Sequence, residues 1–237
     1  IRDSSNAAYE RLCGRAMFRE VVDNLRALKD AGIPVRLNVS VPPDNKDDVP
    51  EIFRLARELG LHTKASTYMY PPVRLGDGRP GDAPHRFAPE DAARYMLLCR
   101  EQQFTLEELR ASAAGVPLSD GDECTGNAEG EPVLCRAGRS SFWLTWDGRM
   151  IPCGMMASPG TPVLEQGFSA PWRSVQTEVD AIRLPAACAG CALRRHCNLC
   201  AASCFAETGD YDRKPDYIRS LTHTFCRITR EKYGTED

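Results

Sequence analysis

Apolar residues in the first third of the chain recur with two different periods. Between residues 9 and 31 they recur every three or four positions, which predicts a helix that ends at Gly32. Across Val35–Val41 they alternate with polar residues, which predicts a strand with two unlike faces. A second helix over about 47–59 and a second strand over Thr63–Tyr70 follow. This alternation implies a parallel sheet with helices outside it, as in part of an α/β barrel.

The middle of the chain predicts helices between two irregular stretches. The Pro- and Gly-rich stretch Pro71–Pro89 is typical of a linker or an active-site loop. Two helices are expected after it, over Pro89–Gln103 and Thr105–Ala114. The Gly-rich and acidic stretch Gly115–Pro132 is expected to be irregular.

The second half carries one clear hairpin pattern. Two β-rich runs, Phe142–Trp146 and Arg149–Ile151, are joined by an Asp-Gly pair, which favours a tight turn. Because aromatic side chains of a hairpin usually pack beneath the sheet, we expect Trp143 and Trp146 in a core. A short helix is expected around Val175–Arg183.

Composition narrows the class of protein. The chain has 237 residues, of which 42% are hydrophobic and 27% charged, so it can bury a core. The net charge of −3 gives no sign of a nucleic-acid or anionic-membrane partner. No apolar run approaches the roughly 20 residues that span a bilayer, and the first residues do not read as an export signal. We therefore expect a cytoplasmic protein.

The cysteines are distributed unevenly. Of eleven cysteines, only Cys13 and Cys99 precede residue 124. Both are expected to be small apolar residues of helices without a chemical role. The densest block reads Cys188-x2-Cys191-x5-Cys197-x2-Cys200-x3-Cys204. Because cytosolic thiols stay reduced, metal binding explains this block better than disulfides do.

The spacing of the cysteines in the dense block indicates which kind of metal site it forms. A zinc ribbon usually separates its two Cys-x2-Cys pairs by roughly 12–20 residues, whereas five residues separate them here. Many thiolates with almost no histidine nearby suit all-cysteine iron–sulfur clusters better than one zinc ion. We regard His196 as a solvated neighbour of Cys197 and not as a ligand.

The order of the cysteines resembles the SPASM domain, the C-terminal extension of radical S-adenosylmethionine (SAM) enzymes that mature peptides and proteins. The match begins with Cys135-x12-Gly148-x4-Cys153, continues through the dense block and ends at Cys226. The resemblance implies an α/β chain with two domains. Residues 1–114 would be the C-terminal part of a radical SAM partial (β/α) barrel, and 115–237 a small cysteine-rich SPASM domain with a β-hairpin and short helices.

The resemblance also implies ligands for two auxiliary [4Fe-4S] clusters. The first cluster would use Cys124, Cys135, Cys153 and Cys200. The second would use Cys188, Cys191, Cys197 and Cys226. The tail Glu207-Thr-Gly-Asp210 is similar to a branch in which the fourth cysteine of the block follows after two residues, which favours Cys200. Cys204 stays open as the alternative to Cys200.

Upstream, Leu28–Asn38 and Tyr68–Arg74 resemble later βα units of the radical SAM barrel, and the resemblance places Asn38 near SAM. The signature Cys-x3-Cys-x2-Cys, which holds the SAM-cleaving cluster, does not occur in the sequence. We therefore expect this chain alone to be inactive. SAM and a third [4Fe-4S] cluster would come only with a missing N-terminal half.

The resemblance implies the C-terminal portion of a peptide- or protein-modifying maturase in which two clusters relay electrons and help to place the substrate. Its partners would be a peptide or protein substrate and a reductant such as flavodoxin or ferredoxin. The sulfatase-maturing branch has Asp where this chain has Gly154, so another peptide modification is expected. The alternative is a non-enzymatic zinc- or iron–sulfur-binding scaffold or interaction module.

Overall fold

A computed structural model describes residues 5–71, 80–81, 83, 85–115, 130–156 and 158–234. The chain forms two compact units. The first consists of Ile1–Met69, Pro84–Val116 and His223–Asp237, and the second of Tyr70–Ala83 and Pro117–Thr222. Most of the expected linker and most of the expected irregular stretch lie outside the described residues. The partial barrel and the SPASM domain stay predictions.

Among the described residues, the first unit contains five complete α-helices, a parallel pair of strands and the C-terminal part of the last helix. In chain order the complete elements are α1 (Asn6–Cys13), α2 (Phe18–Asp30), β1 (Arg36–Ser40), α3 (Val49–Glu58), β2 (His62–Ser66), α4 (Pro89–Gln103) and α5 (Leu106–Ala114). A 3-10 helix over Pro43–Asp48 leads into α3. The strands pair in parallel with Arg36 opposite His62 and Ser40 opposite Ser66.

Residue chemistry explains how these elements pack. Along β1, Leu37 and Val39 are buried while their neighbours Arg36 and Asn38 are exposed, as the alternation predicts. Pro50 lies in the first turn of α3, where its missing N–H costs nothing. The apolar face of α3 packs against α2 in a cluster with Val22, Leu55 and Leu59 at its centre.

Two elements differ from the sequence prediction. The single helix expected over 9–31 is two helices, because Gly14 adopts a φ of 74°, which ends α1. The second strand stops at Ser66 and does not reach Tyr70. The next residue, Thr67, is buried and donates its hydroxyl to the Ala92 carbonyl at 2.8 Å, which fixes the chain to α4.

The start of α5 is a capping box. The hydroxyl of Thr105 accepts the Glu108 N–H at 3.3 Å, and the Glu108 carboxylate accepts the Thr105 N–H at 2.8 Å. Hydrogen bonds from the Thr105 backbone and hydroxyl hold the pKa of Glu108 below its usual value. The expected helix boundary at Thr105 is therefore confirmed, since Thr105 is the residue that caps α5.

We expect Thr105→Ala to destabilise the first unit by about 1 kcal/mol, because the Glu108 N–H loses its acceptor. Hydrogen exchange of the α5 amide groups in urea measures this change. Thr105→Ser keeps the hydroxyl and is the matched control. Equal stability of the alanine and serine variants would contradict the assigned cap.

The second unit contains a small antiparallel sheet and helices. Its elements are β3 (Trp143–Leu144), β4 (Arg149–Ile151), β5 (Thr161–Pro162), α6 (Ser169–Ala181) and α7 (Ala201–Thr208). The chain ends in α8 (Asp216–Tyr233), which begins in this unit. Strand β4 lies between β3 and β5, and α6 packs on β4 and β5. The expected hairpin is confirmed, whereas the helix expected from Val175 begins six residues earlier.

The expected burial of the hairpin tryptophans is wrong. Trp143 is 56% exposed and Trp146 is 96% exposed. The central strand β4 fills the core instead, with Met150 at 0% and Ile151 at 2% exposure. Because β3 is an edge strand of only two residues, its side chains stand at the rim of this sheet.

Among the described residues, none of the helices combines the length and the apolar character needed to cross a bilayer. The longest, α8, has 18 residues, and Arg, Lys, Asp and Glu residues recur along it.

Candidate metal centre

Ten of the eleven cysteines lie within the described residues, and none of these ten forms a disulfide bond. Cys124, a predicted ligand of the first cluster, lies outside the described residues. Cys99 is buried in α4, where burial raises the pKa of its thiol to about 12, in agreement with an apolar role. Cys13, for which the same role was expected, is exposed at the end of α1.

The dense cysteine block is formed by successive tight turns. A 3-10 helix over Ala186–Cys188 is followed by a hydrogen bond from the Cys191 N–H to the Cys188 carbonyl at 3.3 Å. A second 3-10 helix over Arg194–His196 then ends directly before Cys197. Turns of this kind bring thiols at x2 spacing to one side of the backbone, as metal-binding knuckles require.

The sulfur of Cys200 occupies a helix-capping position. Cys200 is the N-cap residue of α7, and its side chain accepts the Ser203 N–H. The Ser203 hydroxyl in turn accepts the Cys200 N–H at 3.0 Å and donates to the Cys200 carbonyl at 2.8 Å. The N-terminus of a helix favours negative charge, so this position suits a thiolate.

The side chain of Tyr70 contacts the sulfur of Cys200. Its hydroxyl lies 3.7 Å from the Cys200 sulfur. Burial raises the pKa of Tyr70 strongly, and the charges of Cys200, Cys153 and Cys204 raise it further. The phenol therefore stays protonated at neutral pH and can donate a hydrogen bond.

Cys153 follows β4 and is half-buried. Its sulfur accepts the Met155 N–H at 3.4 Å. Cys153 and Cys200, two predicted ligands of the first cluster, therefore each receive a backbone N–H at sulfur and each act on Tyr70. N–H donors to sulfur are a common feature of iron–sulfur ligation.

Trp143 covers the turn after Cys153. A Cβ placed on Gly154 would lie 3.0–3.2 Å from three ring atoms of Trp143, which is closer than ordinary van der Waals contact. The glycine is therefore what allows the indole to rest on this turn.

Cys204 differs from Cys200. It lies one turn into α7 with 0% exposure, and burial raises the pKa of its thiol, with smaller contributions from Cys200, Cys188 and Cys197. Cys204 therefore lies inside the helix, whereas Cys200 caps it, and Cys204 stays the alternative to Cys200 as a predicted ligand.

The sulfur of Cys197 has a hydroxyl partner in the last helix. The Thr222 hydroxyl of α8 donates to it at 3.4 Å, and Thr222 is 3% exposed. Cys226, a predicted ligand of the second cluster, follows Thr222 by one helical turn and is buried.

The donor chemistry of these residues fits iron–sulfur ligation, because soft thiolates with N–H and O–H donors are what such clusters use. Within the described part of the chain, however, no three His, Cys, Asp or Glu side chains meet in an arrangement ready to hold a metal ion. Cys135 is exposed, in the turn before β3, and Cys191 is half-buried. The full ligand sets stay predictions.

Asn38, the residue predicted near SAM, lies in the first unit. It is an exposed residue of β1 and pairs in register with Lys64 of β2. Its expected contact with SAM stays a prediction.

Sequence reasoning missed the polar partners of the sulfurs. Tyr70 lies within the stretch Tyr68–Arg74 that the resemblance singled out, but nothing in its spacing indicated a contact with Cys200. For Thr222 the one available signal is its position four residues before Cys226 on a helix. Ser203 could have been found from the Cys-x2-Ser pattern, which matches a capping box with sulfur in place of oxygen.

Comparison with known proteins shows a similarity to a radical SAM protein. The AdoMet-dependent heme synthase of Methanosarcina barkeri (strain Fusaro / DSM 804) is 23% identical over 218 residues. The aligned region is 84% of this chain and 60% of the relative, so the chain spans less than two thirds of that protein. No protein-family model matches the chain. The match supports a relationship to the radical SAM family without distinguishing the SPASM class.

Proposed function

We propose that this chain is part of a radical SAM enzyme that modifies a peptide or protein, and that its cysteine-rich part, residues 115–237, holds two auxiliary [4Fe-4S] clusters. The relationship to a radical SAM protein supports the family. The order and spacing of the cysteines support the SPASM class and the maturase role. SAM itself would bind together with a further cluster in a part of the enzyme that carries the Cys-x3-Cys-x2-Cys signature.

The observation that carries the proposal is the set of hydrogen-bond donors at two thiols that are distant in the sequence. Cys153 and Cys200 come from segments almost fifty residues apart, and the sulfur of each accepts a backbone N–H. The Cys200 sulfur also lies 3.7 Å from the Tyr70 hydroxyl. Such donors stabilise the negative charge of a thiolate ligand. The first cluster would be held by Cys124, Cys135, Cys153 and Cys200, and the second by Cys188, Cys191, Cys197 and Cys226.

When bound, such clusters supply one-electron transfer at potentials that the surrounding protein adjusts. The chain would fix the ligand sulfurs through the capping box of α7 and the turn after β4. Burial of residues such as Cys188 and Leu199 would keep water from the sulfurs. A protein reductant of the flavodoxin or ferredoxin kind would deliver the electrons.

Anaerobic reconstitution with iron and sulfide tests this function. We expect about eight iron and about eight acid-labile sulfide per chain, the content of two [4Fe-4S] clusters. Uptake of one or two zinc ions without sulfide would contradict the proposal and favour the zinc-binding scaffold. The chain could also bind iron and sulfide but leave SAM cleavage unchanged when it is combined with the rest of the enzyme. That result would favour an iron–sulfur scaffold.

A second candidate function comes from the name of the relative, which is a heme synthase. In this candidate the substrate is a tetrapyrrole and not a peptide. Titration of the reconstituted chain with heme distinguishes the two, because a bound tetrapyrrole shifts its own strong visible absorption. A saturable shift would favour the tetrapyrrole candidate over the peptide-modifying proposal.

A further inference from the structure

Two hydroxyl groups contact two cysteine sulfurs that belong to different predicted clusters. The Tyr70 hydroxyl lies 3.7 Å from the sulfur of Cys200, and the Thr222 hydroxyl lies 3.4 Å from the sulfur of Cys197. Cys200 is assigned to the first cluster and Cys197 to the second. Each cluster would therefore have one side-chain hydroxyl at one of its ligands.

The direction of both hydrogen bonds follows from the chemistry of a metal ligand. A thiolate bound to iron has no proton, so a hydroxyl next to it is the donor. The donated hydrogen bond stabilises negative charge on sulfur. A reduced cluster carries one more negative charge than an oxidised one, so such a bond favours the reduced state and raises the reduction potential.

Thr222 departs from the usual behaviour of a buried helical threonine. Thr229, on the same helix and also buried, donates its hydroxyl to the carbonyl of Phe225, four residues earlier, at 2.7 Å. That is the ordinary arrangement for threonine inside a helix. Thr222 uses its hydroxyl on a sulfur of the cysteine block instead.

Tyr70 shows a similar contrast with Tyr211. The Tyr211 hydroxyl donates to the backbone carbonyl of Ser158, and its ring stacks on Phe205. Tyr70 directs its hydroxyl at a cysteine sulfur in a part-buried setting, where a hydrogen bond is stronger than in water. The chain thus offers a tyrosine and a threonine at sulfur, and a matched tyrosine and threonine at backbone carbonyls.

We propose that Tyr70 and Thr222 are positioning residues that donate hydrogen bonds to Cys200 and Cys197 and thereby set the reduction potentials of the two auxiliary clusters independently. The inference rests on the proposed function. Reduction adds one electron to each cluster, and no proton moves and no covalent bond changes at either hydroxyl. In the test, dithionite supplies the electrons.

The experiment is a redox titration of the reconstituted 237-residue chain, followed by electron paramagnetic resonance. We expect Tyr70→Phe to shift one midpoint potential to a more negative value and Thr222→Val to shift the other. A tenfold change in the ratio of reduced to oxidised cluster at fixed potential corresponds to about 59 mV for a one-electron couple. Thr222→Ser keeps the hydroxyl and should restore the original potential.

The controls remove hydroxyls of the same kind that do not contact sulfur. Tyr211→Phe and Thr229→Val should leave both potentials unchanged although each loses a hydrogen bond to a carbonyl. If both clusters form and neither Tyr70→Phe nor Thr222→Val changes a reduction potential, the inference is overturned and the proposed function still stands. A shift of the same cluster by both variants would overturn the claim of independence. A chain that takes up no sulfide would overturn the inference together with the proposed function.

Discussion

Cys200→Ser should lose about four of about eight iron atoms and a matching amount of sulfide after anaerobic reconstitution, the content of one [4Fe-4S] cluster. The reason is that Cys200, at the start of α7, combines partial exposure with an N–H donor and a hydroxyl at its sulfur. Serine offers a hard oxygen ligand that soft iron–sulfur chemistry disfavours. Metal and sulfide analysis with the spectrum of the remaining cluster measures the loss.

Cys204→Ala is the matched control, four residues further along the same helix. In the branch of the SPASM pattern that this block resembles, the fourth cysteine follows after two residues, which assigns Cys200 and leaves Cys204 as a buried residue of α7. We therefore expect this variant to keep its full iron and sulfide content. The opposite result, a loss on Cys204→Ala with retention on Cys200→Ser, would make Cys204 the ligand. Retention by both variants would contradict the ligand set of the first cluster.

Gly138→Ala should destabilise the second unit by about 2–4 kcal/mol, through backbone strain at positive φ and overpacking together. Gly138 has a φ of 65°, and a Cβ there would lie 2.5 Å from a methyl carbon of Val179. Val179 is β-branched, belongs to α6 and has 0% exposure, so it has no room to move. All three tryptophans of the chain lie in the second unit, so their fluorescence in urea reports its unfolding selectively.

Gly167→Ala separates the two causes. Gly167 has a φ of 69°, but a Cβ there would meet nothing within 4 Å. We expect this variant to cost about 1–2 kcal/mol, the strain alone. Equal losses for the two variants would mean that Val179 does not constrain Gly138.

Elements of the fold could be predicted from the sequence where a single residue or a local pattern determines the structure. The alternation around Leu37 and Val39, the proline at the start of α3 and the threonine at the start of α5 each act on their own neighbourhood. The hairpin followed from its Asp-Gly turn. These features need no information from distant parts of the chain.

The sequence predictions are wrong where a contact with a distant residue or a single backbone torsion determines the structure. One glycine torsion, at Gly14, divides a helix that periodicity alone joins. Thr67, directly after β2, is held by a hydrogen bond to Ala92 of α4, 25 residues later. The tryptophans in and after β3 are exposed because Met150 and Ile151 of the neighbouring strand already fill the core, and propensity cannot reveal which strand is central.

The candidate site likewise contains residues that the sequence indicates and residues that it does not. The resemblance carried by the order of the cysteines implies the ligand sets, which stay a prediction. Their hydroxyl partners could not be predicted, because Tyr70 lies 130 residues from Cys200 and Thr222 lies 25 residues from Cys197. Only the folded chain brings these groups together.

The contact between Trp143 and Gly154 makes the two positions interdependent. A carboxylate introduced by Gly154→Asp, as in the sulfatase-maturing branch, would meet the indole before it reached any substrate. Any side chain at position 154 would therefore displace the Trp143 ring by a few tenths of an ångström. The surface beside Cys153 is thus set jointly by the residues at positions 143 and 154.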